Sequence, residues 1–355
     1  MFFSGIGTAT PPRRYSKADC WSAFRESEWF ARLDRRSHAI AEAVLLRDNG
    51  ISARSLALES LAEVFAIDPD TLHRRYATHA PALATEAAVA AMRDAVVGAR
   101  DIDAVVVSTC TGYLCPGLTS YLAENLGLRT NVQAFDLVGQ GCVAALPNLR
   151  LADALLDAGA GEHVLSVCVE VSSAAMYLDN DPGVLVSACL FGDGAGAAVL
   201  SAQPAKVKRR VEWHGSSSVL EPSHRDALRF EQRGGMLRNI LTRPVPALAA
   251  EHARIVLEAE LARAELGIPD IEAWIMHAGG RDVLQALRER IGLSVEDLRY
   301  SARILDEYGN MSSAFVYFVL KSALEDNARP GWWWMSAFGA GFSCQGALLS
   351  VGADE

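Results

Sequence analysis

Three polar side chains in this sequence, Cys142, His277 and Asn310, are of the types that together perform acyl transfer. A cysteine thiolate attacks carbonyl carbon atoms, and an imidazole beside it keeps the sulfur ionised. The His Nε2–H group and the Asn amide can then donate hydrogen bonds to the oxyanion that develops on the substrate. Structural alternatives exist, because a cysteine is often a small buried hydrophobe and an asparagine before a helix is often an N-cap.

The residues around Cys142 predict how this side chain is presented. The apolar run Asn131–Leu137 predicts a buried strand, and the spacing of apolar residues over 143–158 predicts a helix. Gly139 and Gly141 allow a tight turn between the two elements. We therefore expect Cys142 at or near a helix N-terminus, where unpaired N–H groups and the helix dipole favour a thiolate.

The second half of the chain repeats the order of elements in the first half. Three pairs of segments share an offset of 168 or 169 residues, and a fourth pair has an offset of 150. These pairs are Ile102 with Ile271, Gly141-Cys142 with Gly309-Asn310, Val164–Val167 with Trp332–Ser336, and Ala195–Ser201 with Gln345–Val351. The repetition predicts two α/β halves, residues 1–205 and 206–355, packed about a pseudo-twofold axis. Cys142 and Asn310 would then occupy equivalent turns, where His277, at the end of a strand, would meet them.

Three other segments carry local predictions. The Ala-rich, amphipathic stretch Thr85–Gly98 predicts a helix. Residues 211–250, with Gly234-Gly235 and three prolines, predict a long irregular segment, and such loops are usually functional. Ala337–Gly341 predicts a Gly-rich turn whose backbone could approach a ligand closely.

Composition limits the class of protein. The chain has 43 acidic and 33 basic residues, and this net charge of −10 argues against a nucleic-acid-binding protein. No apolar run is long enough to span a membrane, and the N-terminus does not resemble a signal peptide. The seven cysteines are scattered, so neither disulfides nor a metal site is indicated. These features predict a reduced, cytoplasmic protein.

The chain resembles the type III polyketide synthases, the chalcone-synthase-like branch of the thiolase superfamily, over almost its whole length. The motifs that carry the resemblance are Gly141-Cys142, Leu190-Phe191-Gly-Asp-Gly194, Met276-His277, Gly309-Asn-Met-Ser-Ser313 and Ala337-Phe-Gly-Ala-Gly341. The resemblance implies a thiolase-like duplicated αβαβα layered fold of two pseudo-twofold-related halves. It also implies a homodimer.

The resemblance further implies a mechanism. Cys142 would accept an acyl starter from coenzyme A and hold the growing chain as a thioester. His277 and Asn310 would bind the malonyl thioester carbonyl and stabilise the enolate that decarboxylation releases. The enolate would attack the Cys142 thioester in a Claisen condensation, and the product would cyclise to a pyrone or an aromatic ring. Coenzyme A thioesters would be the substrates, with no other cofactor and no metal.

Further positions are implied by the same resemblance to contact substrate. Phe191 matches a gatekeeper between the coenzyme A tunnel and the cavity, and Arg54 lies in a segment similar to the one that meets coenzyme A phosphates. The residues expected at the cavity or its loops are Cys110, Glu170, Ala175, Ser312, Phe338, Gly339 and Cys115. Cys115 is expected to reach the cavity of the partner subunit.

The chain departs from chalcone synthases at several of these positions. Cys110 and Ala175 stand where those enzymes carry Thr, Cys115 where they carry Met, and Ala340 where they carry Pro. A second gatekeeper phenylalanine has no clear match in residues 236–239. A Cys at the first position recurs in bacterial members that make pyrones, resorcinols or naphthalenes, and the small Ala175 suggests room for a long acyl starter.

Three alternatives remain open from the sequence. A papain-like protease also uses Cys, His and Asn, but places its Cys in a different local motif and has no internal duplication. A β-ketoacyl synthase III-like enzyme shares the fold and the three residues but performs a single condensation on a carrier-protein substrate. A non-catalytic scaffold subunit would have no need of three matched positions.

Overall fold

The computed structural model describes residues 1–204 and 209–353. The strands are β1 (Phe2–Ala9), β2 (Arg14–Ser16), β3 (Ala53–Ser55), β4 (Ala104–Thr109), β5 (Gln133–Val138), β6 (His163–Glu170), β7 (Gly194–Ser201), β8 (Val211–Leu220), β9 (Leu228–Arg233), β10 (Met236–Leu241), β11 (Ile271–Met276), β12 (Gly331–Gly339) and β13 (Ser343–Val351). The helices are α1 (Lys17–Glu26), α2 (Glu28–Arg32), α3 (Arg35–Leu46), α4 (Pro69–Ala95), α5 (Leu118–Leu126), α6 (Ala145–Asp157), α7 (Pro182–Leu190), α8 (Val245–Arg263), α9 (Arg281–Ile291), α10 (Arg299–Tyr308) and α11 (Phe315–Glu325).

The main sheet consists of two sets of strands with the same connectivity. Its order is β11-β12-β13-β8-β1-β7-β6-β4-β5. In the first set β4 is parallel to β6, which is antiparallel to β7, which pairs with β1. In the second set β11 is parallel to β12, which is antiparallel to β13, which pairs with β8. The two sets meet where Phe2 of β1 pairs with Glu212 of β8, so the predicted duplicated α/β fold is confirmed.

Helices fill the space between the two sets and cover their outer faces. Helices α6 and α11 each contact strands of both sets and form the central helical layer. Helix α4 packs on β1, β7 and β6, while α8 packs on β8 and β13. The fully buried run of β-branched residues in β4 suits a strand with helices on both faces.

Two predicted elements differ from the structure in their extent or burial. The predicted buried strand at 131–137 is β5, which lies at the edge of the sheet with most of its side chains exposed or half-buried. A strand at the edge of a sheet pairs on one side only, and its other side is left exposed. Apolar composition alone does not distinguish such a strand from a central one. Helix α4 begins at Pro69, capped by Asp68, sixteen residues before the predicted start. The polar first half of α4 and the internal Pro81 mask its periodicity.

The prediction of an irregular segment over residues 211–250 is wrong. This stretch forms the long strand β8, the hairpin β9–β10 and the start of α8. Gly234 and Gly235 connect the hairpin as a two-residue turn, with φ angles of 59° and 79°. Two glycines with positive φ typically form the turn of a two-residue β-hairpin. Gly234 and Gly235 therefore indicate a hairpin rather than an irregular segment.

Two further expectations concern boundaries. Ala337–Gly339, expected in a turn, are the last residues of β12 and pair with β13 as far as Ser343. The predicted boundary between residues 205 and 206 lies outside the described residues.

Within the described ranges, the chain contains no helix of the length and apolar character needed to cross a membrane.

Candidate active site

Cys142 lies in a short 3-10 turn, Gly141–Val143, between the edge strand β5 and helix α6. Gly139 and Gly141 have φ angles of 85° and 62°, which a residue with a side chain rarely adopts. The Cys142 side chain is buried, with 7% of its surface exposed. The predicted presentation of this sulfur at a strand-to-helix turn is confirmed.

The turn that carries Cys142 is held in place by the end of β12. A Cβ atom on Gly339 would lie 2.5 Å from the carbonyl oxygen of Gln140 and 2.6 Å from the nitrogen of Val143. The amide of Ala340 donates to the same Gln140 carbonyl over 3.2 Å. Gly339 therefore allows a close approach of two backbones, and what it approaches is the nucleophile turn rather than a ligand.

His277 directly follows β11 and is fully buried. Its ring centroid lies 5.2 Å from those of Phe315 and Phe338. Neither ring nitrogen has a hydrogen-bond partner among the described residues. A buried polar group without a partner is unfavourable unless a ligand completes its hydrogen bonds, so this imidazole is available to a substrate.

Asn310 lies between α10 and the 3-10 turn Ser312–Ala314. Its backbone is fixed to the end of α7, because its N–H donates to the carbonyl of Leu190 and its carbonyl accepts from Gly192. The side-chain oxygen Oδ1 accepts from the Ser312 amide over 2.8 Å. The amide Nδ2 donates to the carbonyl of Gly279 over 3.2 Å. Asn310 thus caps a turn, and it also presents an N–H group beside the segment that follows His277.

A single groove brings the three residues together. Cys142, His277 and Asn310 all line an open groove of about 2340 Å³, with Phe191 and Phe338 in its wall. Four basic residues also line this groove: Arg36, Arg47, Arg243 and Arg281. Of these, Arg36 lies in helix α3 and Arg47 at its C-terminal end.

A second, narrower space lies beyond Cys142 and Phe191, which line both it and the groove. Three of the residues expected at the cavity line it: Cys110, Ala175 and Ser312. Residues that the sequence analysis did not identify line it as well, among them Met176, Leu228, Phe230 and Asn239. Three of these four lie on the hairpin β9–β10, which the glycine pair at 234–235 could have indicated.

Behind the cavity wall, Glu170 forms a buried hydrogen-bond network instead of lining the cavity as expected. Its carboxylate accepts from the Cys110 amide over 3.1 Å, from the Thr111 hydroxyl over 2.9 Å and from the Ser313 hydroxyl. Burial raises the pKa of Glu170, and these hydrogen bonds lower it in part. The Ser312 hydroxyl lies 3.3 Å from the Cys110 sulfur and 3.2 Å from the Cys142 sulfur, so it connects the network to the nucleophile.

Arg54 and Cys115 lie away from the groove and the cavity of their own chain. The buried Arg54 guanidinium donates to the carbonyl oxygens of Ala188 and Phe191, over 2.8 and 2.9 Å. These carbonyls belong to the C-terminal end of α7, where a cation is favoured by the helix dipole. The prediction that Arg54 meets coenzyme A phosphates is therefore wrong, and Arg54 fixes the segment that carries Phe191. Cys115 is exposed to solvent.

Burial controls the ionisation of the two reactive groups. Burial raises the pKa of Cys142 to about 12, although the hydrogen bond from Ser312 lowers it in part. Burial also lowers the pKa of His277 to about 3. Desolvation thus favours the neutral thiol and the neutral imidazole over the expected thiolate–imidazolium pair, and it opposes the effect of the helix N-terminus.

Comparison with known proteins agrees with this geometry. The family model for the N-terminal domain of chalcone and stilbene synthases matches residues 3–204, and the model for their C-terminal domain matches residues 219–351. The chain is 29% identical over 340 residues to the 3,5-dihydroxyphenylacetyl-CoA synthase of Streptomyces toyocaensis, covering 92% of this chain and 84% of that protein.

Solved structures share the fold. The polyketide synthase PKS-I of the brown alga Ectocarpus siliculosus superposes with a TM-score of 0.90 at 24% identity, covering 98% of this chain and 97% of that one. The 1,3,6,8-tetrahydroxynaphthalene synthase of Streptomyces coelicolor superposes with a TM-score of 0.87 at 22% identity, covering 99% of both chains. The family matches favour a polyketide synthase over the β-ketoacyl synthase III alternative. The chain belongs to the chalcone and stilbene synthase family and is a type III polyketide synthase.

Proposed function

We propose that this enzyme condenses malonyl-coenzyme A units onto an acyl starter bound to Cys142, with His277 and Asn310 as the groups that stabilise the enolate. One observation carries the proposal: these three side chains line a single groove, in which the His277 ring nitrogens have no hydrogen-bond partner among the described residues. A developing oxyanion in such a buried place is stabilised strongly by N–H donors.

The reaction proceeds in two stages. First, the Cys142 sulfur attacks the thioester carbonyl of the starter, its proton passes to the coenzyme A thiolate that leaves, and an acyl-Cys142 thioester forms. Then malonyl-coenzyme A loses CO₂, and the electron pair becomes an enolate whose oxygen accepts from His277 Nε2–H and Asn310 Nδ2–H. The enolate carbon attacks the acyl-Cys142 carbonyl and releases the sulfur.

The groove also supplies a site for the anionic part of coenzyme A. Arg36, Arg47, Arg243 and Arg281 line it, although the chain as a whole has a net charge of −10. Arginine binds phosphate groups in a bidentate manner, which suits the phosphates of coenzyme A. We therefore assign the binding of coenzyme A phosphates to these four arginines instead of Arg54. The reaction itself requires only the coenzyme A thioesters.

The edge strand β5 supports a homodimer. It has no partner on its outer side within the described chain, and Val138 at its end is 57% exposed. Tyr113, which is 69% exposed, and Cys115 lie on the loop that follows the adjacent strand β4. An exposed edge strand with apolar neighbours is a typical surface for pairing with a second chain. In that dimer Cys115 would lie at the interface.

Two further expectations remain part of the proposal. The N-terminal half, residues 1–205, would carry the nucleophile, and the C-terminal half, residues 206–355, would carry the histidine and the asparagine. We also propose a cytoplasmic location, which the seven free cysteines support because disulfides are rare in a reducing compartment.

The proposal is tested by separating decarboxylation from condensation. Purified Cys142→Ala should release CO₂ from malonyl-coenzyme A but form no carbon–carbon bond, because the enolate site is intact and the acyl acceptor is missing. His277→Ala should lose both activities. Removing the Cys142 sulfur leaves a small cavity that costs about 1 kcal/mol of stability, so the variant should remain folded.

The matched control is Cys344→Ala, which removes another buried sulfur, in β13, from a residue that lines neither the groove nor the cavity. This variant should keep both activities. Products and CO₂ are measured by mass spectrometry and radiolabel release. Unchanged product formation by Cys142→Ala would refute the assignment of the nucleophile, and normal decarboxylation by His277→Ala would refute the enolate site.

A further inference from the structure

Two buried polar side chains line the space beyond Cys142 and Phe191, here called the catalytic cavity. Asn239 lies on β10 and Ser187 on α7, and both line this cavity but not the groove. The exposed fraction is 8% for Asn239 and 6% for Ser187. Polar side chains that are buried to this degree normally have hydrogen-bond partners, so the surroundings of these two residues are informative.

Neither side chain has a partner within the described part of the chain. The Asn239 amide and the Ser187 hydroxyl make no hydrogen bond to another described residue. The Ser172 hydroxyl in the same wall also lacks a partner, but its oxygen is fully buried among protein atoms. The polar atoms of Asn239 and Ser187 are not buried in this way, so they open onto the cavity. They are therefore available to a group inside it.

Other polar side chains of the cavity wall are already engaged. The Thr111 hydroxyl donates to Glu170 over 2.9 Å. Arg229 is the one charged residue in the described wall of the cavity, and its guanidinium donates to Glu231 over 3.1 Å. An anionic group in the cavity would have to compete with Glu231 for this arginine. A neutral polar group needs only the two side chains that have no partner, so the wall favours a neutral group.

Helix α7 and strand β10 place the two side chains on one wall. A Cβ atom on Gly183 would clash with the Leu241 carbonyl oxygen, so α7 and β10 touch at this point. Ser187 lies one helical turn after Gly183 on the same face of α7. Asn239 lies two residues before Leu241 on the same face of β10. Phe191 follows one turn after Ser187, because its amide donates to the Ser187 carbonyl over 3.3 Å. An acyl group that passes Phe191 therefore meets this wall next.

The condensation itself produces a neutral polar group at this place. When the enolate carbon attacks the acyl-Cys142 carbonyl, that carbonyl becomes the C3 ketone of a β-ketoacyl thioester. For another round, the Cys142 thiol attacks this thioester. A new carbon–sulfur bond forms, the bond to coenzyme A breaks, and the thiol proton passes to the coenzyme A thiolate. The C3 ketone then lies two carbon atoms beyond the thioester sulfur, where its oxygen can accept from N–H and O–H groups.

We propose that Asn239 and Ser187 donate hydrogen bonds to the C3 ketone of the β-ketoacyl chain on Cys142, and thereby favour chains that return for a further condensation. This inference rests on the proposed function, since it requires repeated acyl transfer to Cys142. A saturated acyl chain of the same length displaces water from both side chains and offers no acceptor in return, which lowers its affinity.

The experiment measures acylation of Cys142 without malonyl-coenzyme A. Acetoacetyl- and butyryl-coenzyme A have the same number of carbon atoms and differ only at C3, which is a ketone in the first and a methylene in the second. Intact-protein mass spectrometry gives the rate constant per unit ester concentration for each. The ratio of the two constants is independent of the fraction of folded enzyme. Asn239→Leu, which replaces the amide by an apolar group of similar size, should lower the acetoacetyl-to-butyryl ratio at least tenfold.

A second variant and a control accompany this measurement. Ser187→Ala removes a single oxygen atom from the wall and should lower the same ratio at least threefold. The matched control is Gln232→Leu, which removes an exposed amide from the same hairpin, at a position that lines neither the cavity nor the groove. This variant should keep the wild-type ratio.

The outcomes separate this inference from the proposed function. The same ratio in the wild type, Asn239→Leu and Ser187→Ala would overturn the assignment of the two side chains, and so would an equal fall of the ratio in Gln232→Leu. In either case acylation of Cys142 by both esters and condensation with malonyl-coenzyme A would still support the proposed function. Absence of acylation by either ester in the wild type would instead contradict the proposed function itself.

Discussion

At the scale of single residues, burial sets the chemical state of the site. Cys142, His277 and Glu170 are all buried, and in each the neutral form is favoured by desolvation. The three groups differ in their partners within the described part of the chain: Glu170 accepts several hydrogen bonds, Cys142 accepts one from Ser312, and His277 has none. The proposed reaction requires His277 to be available for a hydrogen bond to the substrate, and His277 is the group without a partner.

The low pKa of His277 predicts a specific dependence of stability on pH. Below pH 6.5 the unfolded chain protonates this histidine, whereas the folded chain does so only near pH 3. The unfolded state then binds more protons, so the free energy of unfolding falls as the pH decreases from 6.5 toward 3. Between pH 7 and pH 5 the wild type should lose about 2 kcal/mol more than His277→Gln.

Urea denaturation of both proteins at the two pH values measures this difference. All other titrating groups are common to the two chains, so their contributions cancel. The same loss in both proteins would show that His277 is exposed to solvent or paired in the folded enzyme.

At the scale of elements, the site depends on backbones that approach one another closely. The end of β12 touches the turn that carries Cys142, and Asn310 is bonded to the end of α7. The hairpin β9–β10 completes the cavity wall. These contacts join elements that are far apart in the chain, and each places one part of the site relative to another.

Gly339→Ala should reduce condensation at least tenfold. The new methyl group would lie 2.5 Å from the Gln140 carbonyl oxygen, so the Cys142 turn must move away from β12. When the nucleophile moves away from its productive position, the rate of condensation falls strongly. Gly267→Ala is the matched control, because its nearest new contact is 3.4 Å, an ordinary van der Waals distance. Steady-state product formation by both variants checks the prediction, and equal activities would contradict it.

The hairpin β9–β10 is attached to the start of α7 by one buried arginine. Arg238 donates to Asp179 over 2.8 Å, to Asp181 over 3.1 Å and to Glu231 over 3.3 Å. Arg238→Met should leave three carboxylates without their cation and lower the free energy of unfolding by about 2 kcal/mol. Partial exposure of the carboxylates keeps this figure below that of a fully buried pair.

The control for Arg238→Met is Arg233→Met. Arg233 also faces Asp179, at 3.7 Å, but its side chain is 66% exposed. This variant should change the free energy of unfolding by less than about 0.5 kcal/mol. Urea denaturation measures both values, and limited proteolysis should cut the hairpin faster only in Arg238→Met. Equal stability of the two variants would show that Arg238 does not hold the hairpin.

At the scale of the whole molecule, the sheet ends in an unpaired strand. The order of strands leaves β11 at one edge and β5 at the other, and β5 leads directly into the turn of Cys142. Pairing of β5 with a second chain would therefore stabilise the strand that precedes the nucleophile.

Val138→Lys should weaken the proposed dimer, because a charge in an apolar interface is desolvated without a partner. Light scattering after size exclusion should give a dimer for the wild type and a monomer for Val138→Lys at micromolar concentration. Val295→Lys is the matched control, since Val295 is 69% exposed and far from β5 in the sequence. It should remain a dimer, and a monomeric wild type would contradict the proposal.

Local patterns predicted much of the fold, and their failures have physical causes. Strands β5 and β11, helix α6 and the turn at Cys142 are predicted because apolar runs, the spacing of apolar residues and paired glycines are local signals. The local pattern does not predict the hairpin β9–β10, because its residues are of mixed polarity and paired glycines also occur in irregular segments. The resemblance does not reveal the environment of Arg54, because its guanidinium contacts the end of α7, which is distant in sequence.

The sequence by itself determined the duplicated α/β plan and the three residues around which the groove forms, because repeated spacing and residue type are properties of the chain. Only the tertiary structure decided which groups face the groove, which are sealed behind it and how they ionise. Burial and hydrogen bonding arise between segments that are distant in sequence, as between Ser312 and Cys142. Desolvation depends on that packing, so the neutral state of Cys142 and His277 could not be deduced from local pattern alone.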